Sequence, residues 1–107
     1  MESKYIYIPY KIMSDKKISN FSKILFGTLY GLSRQEGYCW ATNSFLGKLL
    51  CKSNRTITKS IAELFKNNYI YVDYRDAKMY SSGRKIFINQ SHIEVNPIVD
   101  IDSIFNQ

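Results

Sequence analysis

At 107 residues, 45% of them apolar, the chain is long enough for one domain with its own core and too apolar to be disordered by composition. No stretch nears the roughly 18 consecutive apolar residues of a membrane span. The opening MESKYIYIPYK lacks the basic and then apolar regions of a secretion signal, so a cytoplasmic location is expected. The formal net charge of +6 is uneven: residues 44–90 carry nine Lys/Arg against three acids, while residues 91–107 carry three acids and no Lys or Arg. A basic block of this size points to a polyanionic partner, with a merely solvated basic surface as the alternative.

The segment YIYIP at 5–9 reads as extended, because Pro9 disfavours helix just before it and Tyr and Ile suit a strand. Ser19 or Asn20 is placed to cap a helix running to about Gln35. Its apolar stripe is Phe21, Leu25, Thr28, Leu29 and Leu32, joined by Ile24 and Phe26. Gly27 inside this helix costs stability, which suggests close packing against another element. Glu36-Gly37 ends the helix, and YCWA forms a short extended link. Thr42 caps a second, short helix from Asn43 to about Leu50, with Phe45, Leu46, Leu49 and Leu50 inward.

A third helix spans 53–67. The Ser53 hydroxyl is placed to accept from the backbone N–H of Arg55 or Thr56. Ile57, Ile61, Leu64 and Phe65 recur at the i, i+4, i+7, i+8 spacing of a buried stripe. Asn67-Asn68 is a stop, because Asn tolerates the left-handed conformation just past a helix. IYVDY then alternates, with Ile70, Val72 and Tyr74 on one face. The polar run DAKMYSSG makes a loop, and RKIFIN returns as a second strand with Ile86 and Ile88 on one face. The fold class is therefore mainly α with a small β-hairpin, in the order of a winged helix-turn-helix over residues 1–90, followed by an acidic tail or linker at 91–107.

The few residues between the second and third helices match a helix-turn-helix, whose second helix enters the DNA major groove. With Ile57 and Ile61 anchored inward, Asn54, Arg55, Thr58 and Lys59 face outward on the first turns. Those turns are what such proteins present to base edges, and Arg and Asn pair bidentately with guanine and adenine. Thr56, Ser53 and the free N–H groups at the helix start suit a phosphate. In the hairpin, Lys78, Arg84 and Lys85 would contact backbone or minor groove; alternatively, Lys78 and Lys85 keep an edge strand soluble. Double-stranded DNA is thus the expected partner, with an ordinary solvated helix face as the competing reading.

The chain resembles the winged-helix domain near the N-terminus of replication initiation proteins of phages and plasmids from low-GC Gram-positive bacteria, including replisome organisers and DnaD-like proteins. The resemblance covers about residues 5–89. It rests on YIYIPYKIM, SKILFGTLYGLSRQEGYCWATN, LGKLLCKSNRTITKSIAEL and NNYIYV, with EGYCWATN and the S-x-R-T-I helix start the more specific parts. It implies sequence-specific DNA binding in replication initiation. Such domains usually place Gly and an apolar residue in the turn before the recognition helix and Gly after that helix. Here Cys51 and Lys52 stand in the turn, and Asn68 follows the helix. Lys52 adds charge where phosphates would pass.

Enzymatic motifs fail on inspection. His92 is the only histidine, and two cysteines are too few for a structural zinc site. Nothing orients His92 toward Cys39 or Cys51 as a nucleophilic pair, and there is no Gly-rich phosphate loop. No cofactor or catalytic group is expected. Cys39 and Cys51 read as reduced and partly buried, with a structural disulfide the weaker reading. Trp40, Tyr38 and most tyrosines read as core or packing residues.

The tail, HIEVNPIVDIDSIFNQ, cannot fold alone. It packs back, leads into a further domain, or serves a replication or host protein as a peptide. The chain thus reads as a truncated piece or as a compact stand-alone regulator, and a homodimer is compatible with either. A transcriptional regulator on the same scaffold is close behind the replication role. A winged helix used for protein–protein contact, such as a small phage inhibitor of a host machine, is the reading from a different class.

Overall fold

Three serine or threonine hydroxyls start the three long helices. The computed structural model describes residues 6–75 and 83–93. In it Ser19 accepts from the Ser22 N–H ahead of α2 (Asn20–Ser33), Thr42 from the Phe45 N–H ahead of α3 (Asn43–Leu50), and Ser53 from the Thr56 N–H ahead of α4 (Asn54–Lys66). Each cap satisfies a donor that the first helical turn cannot pair internally. A one-turn helix, α1 (Tyr10–Met13), precedes them. The hairpin β1 (Ile70–Asp73) and β2 (Lys85–Ile88) follows, and the one-turn α5 (Gln90–Ile93) packs back against α1. The result is a winged helix-turn-helix. None of the described helices is long and apolar enough to cross a membrane.

The core is one cluster in which α2, α4 and the hairpin meet. Leu25, Phe26 and Leu29 of α2 face Ile57, Ile61 and Leu64 of α4, with Tyr69, Ile70 and Ile86 closing it from the hairpin. Antiparallel pairing of Ile70 with Ile88 and of Val72 with Ile86 puts these four side chains on one inward face. Tyr71 and Phe87 pair on the other. Cys39 exchanges two 2.8 Å backbone hydrogen bonds with Ile86, so the YCWA link lies along the free edge of β2 as a single bridge.

Several expectations need correction. Residues 6–9 lie in no strand. They run over α2 instead, where a Cβ on Gly27 would stand 3.0 Å from the Tyr7 carbonyl oxygen. That close approach is what the mid-helix glycine serves. Ile24, Leu32, Phe45, Leu49 and Phe65, all expected inward, are exposed. The small domain has too few elements to cover both flanks of each apolar stripe. Tyr74 lies beyond the end of β1 and is exposed. Of the described tyrosines only Tyr69 is buried, and Trp40 is 48% exposed. Cys39 is buried as expected, but Cys51 is exposed; both are free thiols.

Tyr69 is the packing residue that periodicity missed. Its ring meets Phe26 and His92 edge-on, and its hydroxyl donates to Asp15 Oδ2 at 2.6 Å. Burial and that carboxylate push the phenol up, while the phenol's hydrogen bond holds Asp15 below the usual carboxylate range. Asn89 closes the hairpin base by donating its side-chain amide to the Asn68 carbonyl at 2.7 Å.

Candidate nucleic-acid interface

The turn between α3 and α4 consists of Cys51, Lys52 and Ser53. Cys51 is left-handed, with φ 59° and ψ 45°, and the Lys52 N–H donates back to the Gly47 carbonyl at 2.9 Å. The Lys52 carbonyl folds over α3 so closely that a Cβ on Gly47 would stand 2.6 Å from its oxygen. Gly47 therefore lets the chain reverse tightly enough to bring Ser53 into capping position. Helix α4 ends the same way. Asn68 has φ 67°, its N–H donates to the Phe65 carbonyl, and the Tyr69 N–H donates to the Leu64 carbonyl. This is the paired hydrogen bonding of a Schellman stop. Both helix-ending positions, Cys51 and Asn68, are thus left-handed here without a glycine.

The inward face of α4 carries Ile57, Ser60, Ile61 and Leu64, all buried. Asn54, Arg55, Thr58 and Lys59 are exposed, and Thr56 is half-buried beside the cap. Among the described residues neither Arg55 nor Lys59 forms a salt bridge. The one acid on α4, Glu63, is turned toward α2, where it accepts from the Ser19 N–H and the Ser19 hydroxyl at 3.0 Å each. Burial alone would raise the Glu63 carboxyl, but these donors and the Ser22 hydroxyl outweigh it and hold it below its ordinary value. The charge of Lys59, one turn earlier on α4, pulls the Glu63 carboxyl in the same direction. The Ser53 hydroxyl is committed locally, donating to Thr56 Oγ1 while it caps the helix. Lys52 is exposed, with its ammonium 5.4 Å from the Phe21 ring centroid.

A polar chain links this helix to the wing. Thr58 Oγ1 donates to the Asn54 carbonyl at 2.9 Å and accepts from Asn43 Nδ2 at 3.0 Å. Asn43 Oδ1 in turn accepts from Arg84 Nη2, which also donates to the Ala41 carbonyl. Arg84 is half-buried and faces inward, and burial lowers its pKa from the ordinary arginine value. Lys85 lies with its ammonium 4.7 Å from the Tyr38 ring centroid and opposite Asp73 in the hairpin register. Asp73 accepts from the Arg75 guanidinium at 2.8 Å, which holds its carboxyl at about 2. Lys78 lies outside the described residues.

Sequence reasoning passed over Asn43, Ser44, Lys48 and Arg75. Asn43 and Ser44 look like ordinary first-turn residues, yet Ser44 Oγ lies 3.4 Å from Asn54 Nδ2 and Asn43 joins α4 to Arg84. Their position directly after the Thr42 cap, facing the next helix across a three-residue turn, was the available signal. Among the described residues no three His, Cys, Asp or Glu side chains group to hold a metal ion. His92 lies against Tyr69, at 4.6 Å between ring centroids.

A family model described as a helix-turn-helix domain matches residues 16–70, running from just before α2 to the first residue of β1 and so including the α3–turn–α4 unit. The chain belongs to this helix-turn-helix domain family. No curated protein and no solved structure gave a significant match. Membership supports DNA as the partner. Within the matched span α4 is the second helix of the α3–turn–α4 unit.

Proposed function

We propose that the chain binds double-stranded DNA sequence-specifically, with α4 in the major groove, and acts in phage or plasmid replication initiation. The observation that carries the reading is the outward face of α4. Arg55 and Lys59 stand one turn apart beside Asn54 and Thr58 on the N-terminal half of the motif's second helix, and the helix's only acid is tied to α2. Arg and Asn there supply base-edge donors and acceptors. Lys52, Thr56 and the first free N–H groups of α4 take phosphates, while Ser53, its hydroxyl committed to Thr56, holds that helix end in place. Lys78 and Lys85 grip the backbone from the wing. Arg84 contributes from beneath, holding the wing to the start of α3.

The replication role rests on the resemblance carried by EGYCWATN and the S-x-R-T-I helix start, and a transcriptional regulator fits the same fold equally. Sequencing the genomic fragments retained by the chain separates the two, as enrichment at one origin-like locus or upstream of several genes. A protein-contact role draws support from the apolar cleft between the end of α2 and the start of α3, where Leu32, Trp40 and Phe45 are exposed. A salt titration decides between DNA and protein contact. With about five phosphates neutralised, log K for a duplex falls with log salt at a slope of roughly −4 to −5. No duplex binding at low salt, or a flat response, overturns the DNA reading.

A further inference from the structure

The hydroxyl of Thr58 has no hydrogen left to offer a base. Its proton goes to the Asn54 carbonyl at 2.9 Å, and Asn43 Nδ2 donates to the same oxygen at 3.0 Å. Two partners on two different helices therefore fix the rotamer. Asn43 is itself held by Arg84 from the wing. Thr58 is nonetheless exposed, so it offers DNA mainly its methyl group. One turn further along α4, Ala62 is also exposed. It breaks the outward row of Arg55, Lys59 and Lys66 with a second bare methyl.

We infer that Thr58 and Ala62 read thymine through its 5-methyl group, and that the bound site carries thymines where these residues meet the major groove. The inference rests on the proposed placement of α4 in that groove. Thymine is the base whose major-groove edge carries a methyl, and apolar contact from Ala or a Thr methyl is how proteins read it. The flanking cations give the helix the charge to approach phosphates, while the two methyls leave hydrogen bonding at those positions to others. Thymine O4 is an acceptor, and Thr58 cannot donate to it; the discrimination comes from burying the methyl.

The test starts with duplexes that the full chain enriches from a randomised pool. The preferred duplex is resynthesised with deoxyuridine in place of one thymidine at a time, which removes only the methyl. The expected result is a loss of about fourfold at one or two positions, the worth of one buried carbon each, with no change elsewhere. Thr58→Ser, which keeps the hydroxyl and drops the methyl, should abolish the uracil penalty at one of these positions. Thr58→Val, which keeps a methyl, should preserve it. Selective binding that is indifferent to every uracil substitution, or a penalty unchanged by Thr58→Ser and by Ala62→Gly, overturns the inference and leaves the DNA reading standing. Failure to enrich any duplex overturns both.

Discussion

Asn43, at the first position of α3, donates its side-chain amide to Thr58 on α4 at 3.0 Å. Its carbonyl oxygen accepts from the half-buried guanidinium of Arg84. One amide thus sets the spacing of the two helices of the motif and anchors the wing to both. An amide suits this place because it is both donor and acceptor.

Replacing that amide has a definite cost. Asn43→Ala removes an acceptor from a half-buried cation and a donor from Thr58, and should destabilise the domain by about 1–3 kcal/mol. Asn43→Asp keeps the acceptor for Arg84 and should recover part of the loss. Thermal melts of both variants check this. Equal melting of Asn43→Ala and parent would mean that the clamp carries no stability.

The motif's turn favours glycine at two positions one helical turn apart, for different reasons. Gly47→Ala places a Cβ against the Lys52 carbonyl, 2.6 Å away, and a backbone atom cannot swing aside as a side chain can. Overpacking of this kind costs about 1–3 kcal/mol, and the melting point should fall. Cys51→Gly relieves a left-handed residue, worth about 1–2 kcal/mol, against the greater freedom of glycine in the unfolded chain. It should melt no lower than the parent. A fall with Cys51→Gly and none with Gly47→Ala would contradict this geometry.

The helical frame was legible because caps and periodicity are local. Ser19, Thr42 and Ser53 each hydrogen-bond three residues ahead, and Ile57, Ile61 and Leu64 recur on one face. What spacing could not show is how widely a neighbour covers that face. Phe65 falls on the predicted stripe of α4 yet is 53% exposed, because the hairpin leaves that flank open. Arg84 illustrates the same limit for charge. Its sequence neighbours place it on a basic wing, whereas its direction is set by Ala41 and Asn43, more than forty residues earlier. The left-handed Cys51 was not legible from the residue. Its own chemistry favours no such backbone.

Acid should loosen two contacts, that of Glu63 on α4 with Ser19 ahead of α2 and that of Asp15 with the Tyr69 hydroxyl. Glu63 and Asp15 both sit below their ordinary values in the folded state, so the unfolded chain binds protons at these groups more readily. Their contribution is complete above the ordinary carboxylate range and is lost as pH falls through the lowered folded values. Glu63→Gln should therefore melt below the parent at neutral pH, with the gap narrowing below about pH 4. A gap that stays constant from pH 7 to pH 3 would assign Glu63's effect to something other than its charge.

The most direct test of α4 as the reader compares its two faces in one pair of variants. Arg55→Ala combined with Lys59→Ala alters exposed positions, where stability effects usually stay within about 0.5 kcal/mol. Ile57→Ala empties a fully buried site, which costs about 2–5 kcal/mol. Melts and titrations with the selected duplex are run on both. The Arg55/Lys59 variant should melt like the parent, lose about 1–3 kcal/mol of binding per lost base contact and relax in specificity, while Ile57→Ala should melt early. An Arg55/Lys59 variant that stays folded and binds the duplex as tightly as the parent would contradict α4 as the reader.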